Sequence, residues 1–335
     1  MKTKRICTRC VLPESPPDIR LDAAGLCSVC AAKGGAEDAQ SPAPLLESDF
    51  VKLLRKSRGK GEYDCLVMAS GGKDSTAALY LMARRYKASV LAFTFDHGFE
   101  SEEALANVRR AVAALGVDSL YFRSAHMRPL FAKVVSTGSK AVICHICSIW
   151  YMGLALRTAE RFGIPVLIAG WTRAQSARGR GLDGPEFASM SRATRDFLAL
   201  HARGDPRYKD LPGSMEEVLS RAAKRHPCAI LSPHWFLPGD SSSYIPLIEK
   251  ELGWRRIERS YPAQSTNCAL NFLSVDRCLR DYGYTHYHVE MSKLIREGLM
   301  TREEALRLLE PDYSPELLQR ILRDLQAPLD GPVHD

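Results

Sequence analysis

Two hydrophobic periods alternate along this chain. Residues 63–69 form a short, mostly apolar run suited to a buried strand. Residues 73–86 follow at helical spacing, with Ala77, Ala78, Leu81 and Met82 on one face. A second strand is predicted at 89–95 and a helix at 101–115. Ser101 is placed to cap that helix, with Glu102 and Glu103 where the helix dipole favours negative charge. Further strands are predicted at 119–123, 166–169 and 229–232, and a long helix at 145–162. Strands alternating with helices predict an α/β fold: a doubly wound parallel sheet covered on both faces.

The remaining segments set the domain plan. Residues 1–33 are a small unit with four cysteines, and 34–45 read as a Gly/Ala/Ser/Pro linker. The main domain spans 46–268. Its order is interrupted at 173–227, read as a basic, partly mobile insertion near the active edge. Residues 269–326 are helical, with Gly298 closing one helix and Thr301-x-x-Glu304 reading as the capping box of the next. The tail, 327–335, is expected to fray.

The strongest chemical signal lies between the first strand and the first long helix, at Ser70-Gly71-Gly72-Lys73-Asp74-Ser75. A glycine pair lets main chain approach phosphate, and the N–H groups opening a helix face the anion. Ser70 and Ser75 offer hydroxyls and Lys73 a positive charge. Asp74 would repel phosphate unless a cation stands between them, so Mg²⁺ is assigned to it. The second strand ends Phe95-Asp96-His97-Gly98, at the carboxyl edge where doubly wound sheets bind ligands. Asp96 reads either as a nucleotide contact or as a cap of its own loop.

Ten cysteines and a formal charge of +7 refine this picture. The basic start has no apolar stretch of a signal peptide, and no apolar run reaches membrane-spanning length. A cytoplasmic protein with reduced thiols is expected. The charge suits an anionic substrate such as ATP and permits RNA contact without requiring it. Cys7-x2-Cys10-x16-Cys27-x2-Cys30 has the spacing of a structural four-thiolate Zn²⁺ site. A third pair, Cys144 and Cys147, begins the long helix, and Cys268 stands at the start of a later one. Helices of such a sheet begin on the side where strands end, so all three sulfurs are expected on the ligand side. Helix N-termini are also expected to favour thiolates there. Coincidence and a redox dithiol remain alternatives. Cys65, Cys228 and Cys278 read as buried structural thiols.

The loop resembles the SGGxDS signature of PP-loop ATP pyrophosphatases, which cleave ATP between the α and β phosphates. It is not a Walker A loop, because GxxxxGK[ST] is absent. In that superfamily the stretch holding Asp96 and Gly98 touches the adenosine half, and Gly170 resembles the glycine that lets the nucleotide lie flat. Most of the chain resembles the N-acetyl sugar amidotransferase branch, through CTRCVLPESPPDI, KELGW at 250–254 and GLMTREEAL at 298–306. That branch implies ammonia from a glutaminase partner. Two features depart from it: Lys73, where a small residue is expected, and the set Cys144, Cys147, Cys268. The set resembles that of tRNA thiolases, whose three cysteines hold a 4Fe-4S cluster with one iron free to carry sulfide.

The resemblances imply a two-step reaction. A substrate oxygen attacks the α-phosphorus of ATP, with Lys73, Mg²⁺ at Asp74 and the loop amides stabilising pyrophosphate. A nucleophile then displaces AMP: sulfide if a cluster is present, ammonia if not. A non-catalytic ATP-binding module is the third reading. The substrate is expected to be a small molecule, with tRNA open, a sulfur donor or glutaminase as partner, and a homodimer allowed. Arg173 and Gln175 are candidate substrate contacts. Gln264, Thr266, Asn267, His286, His288 and Glu290 are placed near the pocket, the two histidines otherwise reading as the solvated start of a helix.

Overall fold

The computed structural model describes residues 5–32, 46–172, 188–238, 241–263 and 267–326. The linker 34–45, the tail 327–335, and Arg173, Gln175, Gln264 and Thr266 lie outside them. The chain begins with isolated bridges that pair Ile6 with Pro13, Ser15 with Ile19 and Leu21 with Cys27. Then come α1 (Ser28–Ala32) and α2 (Glu47–Arg55). The sheet unit follows as β1 (Cys65–Met68), α3 (Lys73–Tyr80), β2 (Val90–Asp96), α4 (Glu102–Leu115) and β3 (Asp118–Arg123). Next are α5 (Met127–Ser136), α6 (Ile143–Arg161), β4 (Val166–Ile168), α7 (Ala188–His201), α8 (Met215–Arg225) and β5 (Ala229–Leu231). The chain closes with α9 (Ile245–Leu252), α10 (Leu270–Asp281), α11 (His286–Arg296), α12 (Arg302–Leu309) and α13 (Pro315–Gln326).

The five strands run parallel in the order β3-β2-β1-β4-β5. The order reverses beside β1, which makes its carboxyl end the natural ligand crevice. Alternation along β1 feeds two cores. Leu66 packs with α5, α6 and the C-terminal helices, whereas Cys65 and Val67 pack with α2, α3, α4 and α9. No helix among the described residues is long and apolar enough to cross a membrane.

Three expectations change. The helix predicted over 73–86 is α3 followed by a π turn at Leu81–Arg85, where the Tyr86 N–H reaches the Leu81 carbonyl at 2.9 Å. The stretch read as an insertion supplies the β4-to-β5 crossover: α8 packs on α6 and leads into β5. Its first part, 173–187, lies outside the described residues. At Thr301 half of the expected box forms, the hydroxyl accepting the Glu304 N–H at 3.2 Å.

Candidate active site

Residues 70–75 link β1 to α3 and are held from behind. Gly71 has φ +80°, and a Cβ there would stand 1.9 Å from the Ala104 carbonyl oxygen. Only glycine lets this loop lie against α4. The Gly71 carbonyl accepts the Trp254 indole N–H at 2.9 Å and the Asn107 amide at 3.1 Å. Asn107 also exchanges two 2.8 Å hydrogen bonds with the Arg255 backbone. The KELGW stretch is therefore a clamp on the loop. Ser75 Oγ accepts the Ser70 N–H at 3.2 Å and donates to the Gly72 carbonyl at 3.1 Å. His234 Nε2 lies 2.9 Å from the Asp74 carbonyl. Lys73 Nζ donates to both Asp74 carboxylate oxygens, at 2.8 and 3.0 Å.

The loop opens on a cavity of about 430 Å³, the size of a small-ligand site. Ser70, Gly72, Lys73, Asp74 and Ser75 line one side. Cys144, His145 and Cys147 from the start of α6 line the other, with Cys268 and His286. Cys268 gets there through a backbone bridge to Glu100, flanked by Ser101 N–H to Asn267 O at 2.8 Å and Ala269 N–H to Phe99 O at 2.9 Å. The neighbouring Asn267 side chain donates to the Ser70 carbonyl, tying this segment to the phosphate loop.

Several residues sit differently from expectation. Asp96 is 3 % exposed and outside the cavity lining. It accepts the Gly98 N–H at 2.6 Å and a hydrogen bond from the Tyr121 hydroxyl, so it caps its own loop. Gly98 is also outside the lining, with φ +86°. Gly170 lines the cavity, but glycine is required there because a Cβ would stand 2.6 Å from Ser75 N and Cα. His286 is not at a solvated helix start. It faces the cavity, and burial, with a smaller contribution from His145, lowers its pKa to about 3. His288 instead caps α11, its Nδ1 accepting the Thr285 N–H at 3.2 Å. Burial works against the thiolate form at all three cysteines. Burial raises Cys144 to about 12 and Cys268 to about 11, the latter opposed by His97, and raises Cys147 as well.

Sequence reasoning passed over Asn107, His234, His97 and Glu100. Asn107 carried a signal: it interrupts the apolar face of Ala104, Val108 and Ala111 on α4. His97 and Glu100 stand three residues apart, but the segment they meet, at Asn267 and Cys268, lies more than 160 residues on, and His234 reaches Asp74 across 160 residues.

The cysteines of the N-terminal unit, Cys7, Cys10, Cys27 and Cys30, are buried, with their sulfurs all within 4.8 Å of one another. The Cys27 N–H points at Cys7 Sγ (3.3 Å) and the Cys30 N–H at Cys27 Sγ (3.4 Å), as in a knuckle that orients thiolates toward one ion.

A parallel sheet with a glycine-rich loop opening on a cavity at its carboxyl edge is an architecture common to nucleotide-binding α/β proteins. Residues 64–145 match the family model described as Queuosine biosynthesis protein QueC, which supports the PP-loop ATP pyrophosphatase superfamily. The uncharacterized protein MJ1599 of Methanocaldococcus jannaschii is 22 % identical over 275 residues, 82 % of each chain. Among solved structures, an NMN synthetase from Francisella tularensis aligns at 12 % identity and TM-score 0.42, over 86 % of this chain and 97 % of that one. An NH3-dependent NAD synthetase from Campylobacter jejuni aligns at 16 % identity and TM-score 0.38, over 82 % and 88 %.

Proposed function

We propose that this chain is an ATP-dependent adenylating enzyme that replaces an oxygen of its substrate with sulfur. One observation carries the reading: Cys144, Cys147 and Cys268 line the same cavity as the 70–75 loop. The first turn of α3 offers N–H groups without intrahelical partners to the phosphates. Binding of MgATP exchanges the Lys73–Asp74 pair: the ammonium turns to the phosphates and the carboxylate to Mg²⁺. The substrate oxygen attacks the α-phosphorus, the bond to the β-phosphate oxygen breaks, and pyrophosphate leaves with its charge stabilised by Lys73 and the loop amides. The oxygen then departs with AMP when the nucleophile bonds to the substrate carbon.

The donor set fits a 4Fe-4S cluster: three thiols converge on one cavity, two of them a helical turn apart on α6. Such a cluster, when bound, supplies a sulfide on the iron that no protein thiolate holds. Cys144, Cys147 and Cys268 would hold it as thiolates, giving up their protons as it binds. Zn²⁺ is assigned to Cys7, Cys10, Cys27 and Cys30, with no open position and so a structural role. The substrate class is a small molecule, with tRNA tested beside it.

Anaerobic purification tests the reading. Brown protein with about four irons and four sulfides per chain is expected, lost in Cys144→Ser, Cys147→Ser and Cys268→Ser while zinc stays. Colourless protein that still catalyses ATP–pyrophosphate exchange would point to nitrogen as the incoming atom. Absence of exchange and of AMP with both small-molecule and tRNA pools would leave only a nucleotide-binding module.

A further inference from the structure

One cluster on the cavity wall has no part in the adenylation chemistry. His97 is 4 % exposed, and its Nε2 lies 3.2 Å from Glu100 Oε1 and 3.5 Å from Cys268 Sγ. The three donor atoms all lie within 4.8 Å of one another. A tetrahedral zinc ion, with bonds of about 2.0–2.1 Å to nitrogen and oxygen and about 2.3 Å to sulfur, holds N and O roughly 3.3 Å apart and N and S roughly 3.5 Å apart. The two spacings from His97 Nε2, 3.2 and 3.5 Å, are close to these figures.

We propose that His97, Glu100 and Cys268 form a single-ion site for a zinc-class divalent cation, separate from the four-cysteine unit. One imidazole, one carboxylate and one thiolate suit zinc and exclude the hard, all-oxygen coordination of magnesium or calcium. Each donor is fixed by something other than the ion. The backbone bridge between Glu100 and Cys268 sets two of them. The Asn267 amide takes Glu100 Oε2 at 3.2 Å, leaving Oε1 toward His97. Phe95, Phe99 and Phe131 pack around the imidazole. His97 Nδ1 has no hydrogen-bond partner among the described residues, so the ring's polar engagement is through Nε2, aimed at the other two donors. Three protein donors leave the fourth tetrahedral position, and since all three line the cavity, it opens there.

Cys268 is shared with the three-thiol set assigned to the cluster. One thiolate cannot complete both, so ion and cluster are alternative occupants, and the single-ion site belongs to the cluster-free chain. The assignment does not rest on the thiolation reading.

Zinc equivalents on the full-length, cluster-free protein test it. After stripping with a chelator and dialysis against Zn²⁺, the wild-type chain is expected to retain two zinc ions. His97→Ala and Glu100→Ala are expected to retain one, and Cys7→Ser with Cys10→Ser to retain one, lost on adding Glu100→Ala. With Co²⁺ as the probe, removing this site should take away about a fifth of the thiolate charge-transfer absorption, one sulfur in five. A single equivalent in the wild type, or two in Glu100→Ala, overturns the proposal. Glu100→Ala decides alone if His97→Ala fails to fold. Cluster-reconstituted protein should hold one zinc, and two there would overturn the mutual exclusion.

Discussion

At the scale of single residues, the site rests on side chains that hold the loop. Trp254 reaches Gly71 across 183 residues of sequence. Trp254→Phe removes the N–H together with part of the buried indole, leaving the Gly71 carbonyl to Asn107. The lost hydrogen bond costs about 1 kcal/mol and the void adds to it, so a clear fall in melting temperature is expected. The loss in function should be larger, about tenfold in ATP–pyrophosphate exchange, because a displaced loop misplaces the phosphates. Unchanged exchange in folded Trp254→Phe would remove the clamp from the account. A second residue-scale expectation concerns pH. Burial lowers His145 to about 4, and burial with a neighbouring imidazole lowers His286 to about 3, both below the unfolded value of about 6.5. The unfolded chain therefore takes up protons first as pH falls. The stability these neutral rings contribute is complete above about pH 6.5 and is lost as pH falls toward 4 and then 3. Melting curves should show this slope, and His145→Asn with His286→Asn should flatten it. The cysteine pairs and the 70–75 loop were legible because each is contiguous. Trp254 stood within a legible stretch, but nothing local named its target. Asp96 and His286 each kept two readings because the direction of a side chain at a strand or helix end depends on what packs over it.

At the scale of elements, the strands were legible to within a residue or two because apolar runs bounded by turns survive any tertiary context. Helices α2, α5 and α9 were not. In α5, Pro129 stands in the first turn, where its missing N–H would have had no partner, so it opens the helix rather than breaking it. Pro246 does the same in α9, which Gly253 closes in the left-handed conformation. In α2, the Glu47 carboxylate receives Arg85 at 2.7 and 2.8 Å, a partner supplied by the π turn rather than by the helix's own sequence. The loop itself is an element defined by contacts on two sides: Gly71 against Ala104 of α4, and Gly170, after β4, against Ser75. A methyl group at either position meets main chain, which cannot rotate away. Gly170→Ala is therefore expected to push α3 from β4 and cut exchange at least about a hundredfold, while destabilising the chain by about 1–3 kcal/mol, in the range of small-to-large substitution in a packed site. An alanine variant with full exchange would show that the two elements have slack which this packing denies.

For the whole molecule, the N-terminal unit is not an appended module. Arg302, the first residue of α12, donates to the Cys7 and Cys10 carbonyls, and Ser292 Oγ accepts the Val11 N–H at 3.3 Å. Asp18 receives the Tyr284 hydroxyl at 2.6 Å and the Ser189 hydroxyl at 2.7 Å. Leu12 and Ile19 share one small core with Val142, Met190, Cys278 and Tyr284, and Cys144 packs against it. Thus the unit braces the residues that open α6, and α6 carries two of the three cavity thiols. With the ion proposed for the four buried thiols in place, a core this small would depend on it, since packing cannot replace a lost metal. Stripping the metal should then act at a distance. Amide exchange is expected to rise in 5–32, and also in 141–147 and 284–292, with loss of ATP–pyrophosphate exchange activity. Arg302→Ala should reproduce a milder form, with faster metal release and a fold otherwise kept. If stripping loosens 5–32 alone and activity persists, the unit is held by its own ion but braces nothing. If 141–147 loosens with it, the N-terminal site is a structural support of the chemistry at α6.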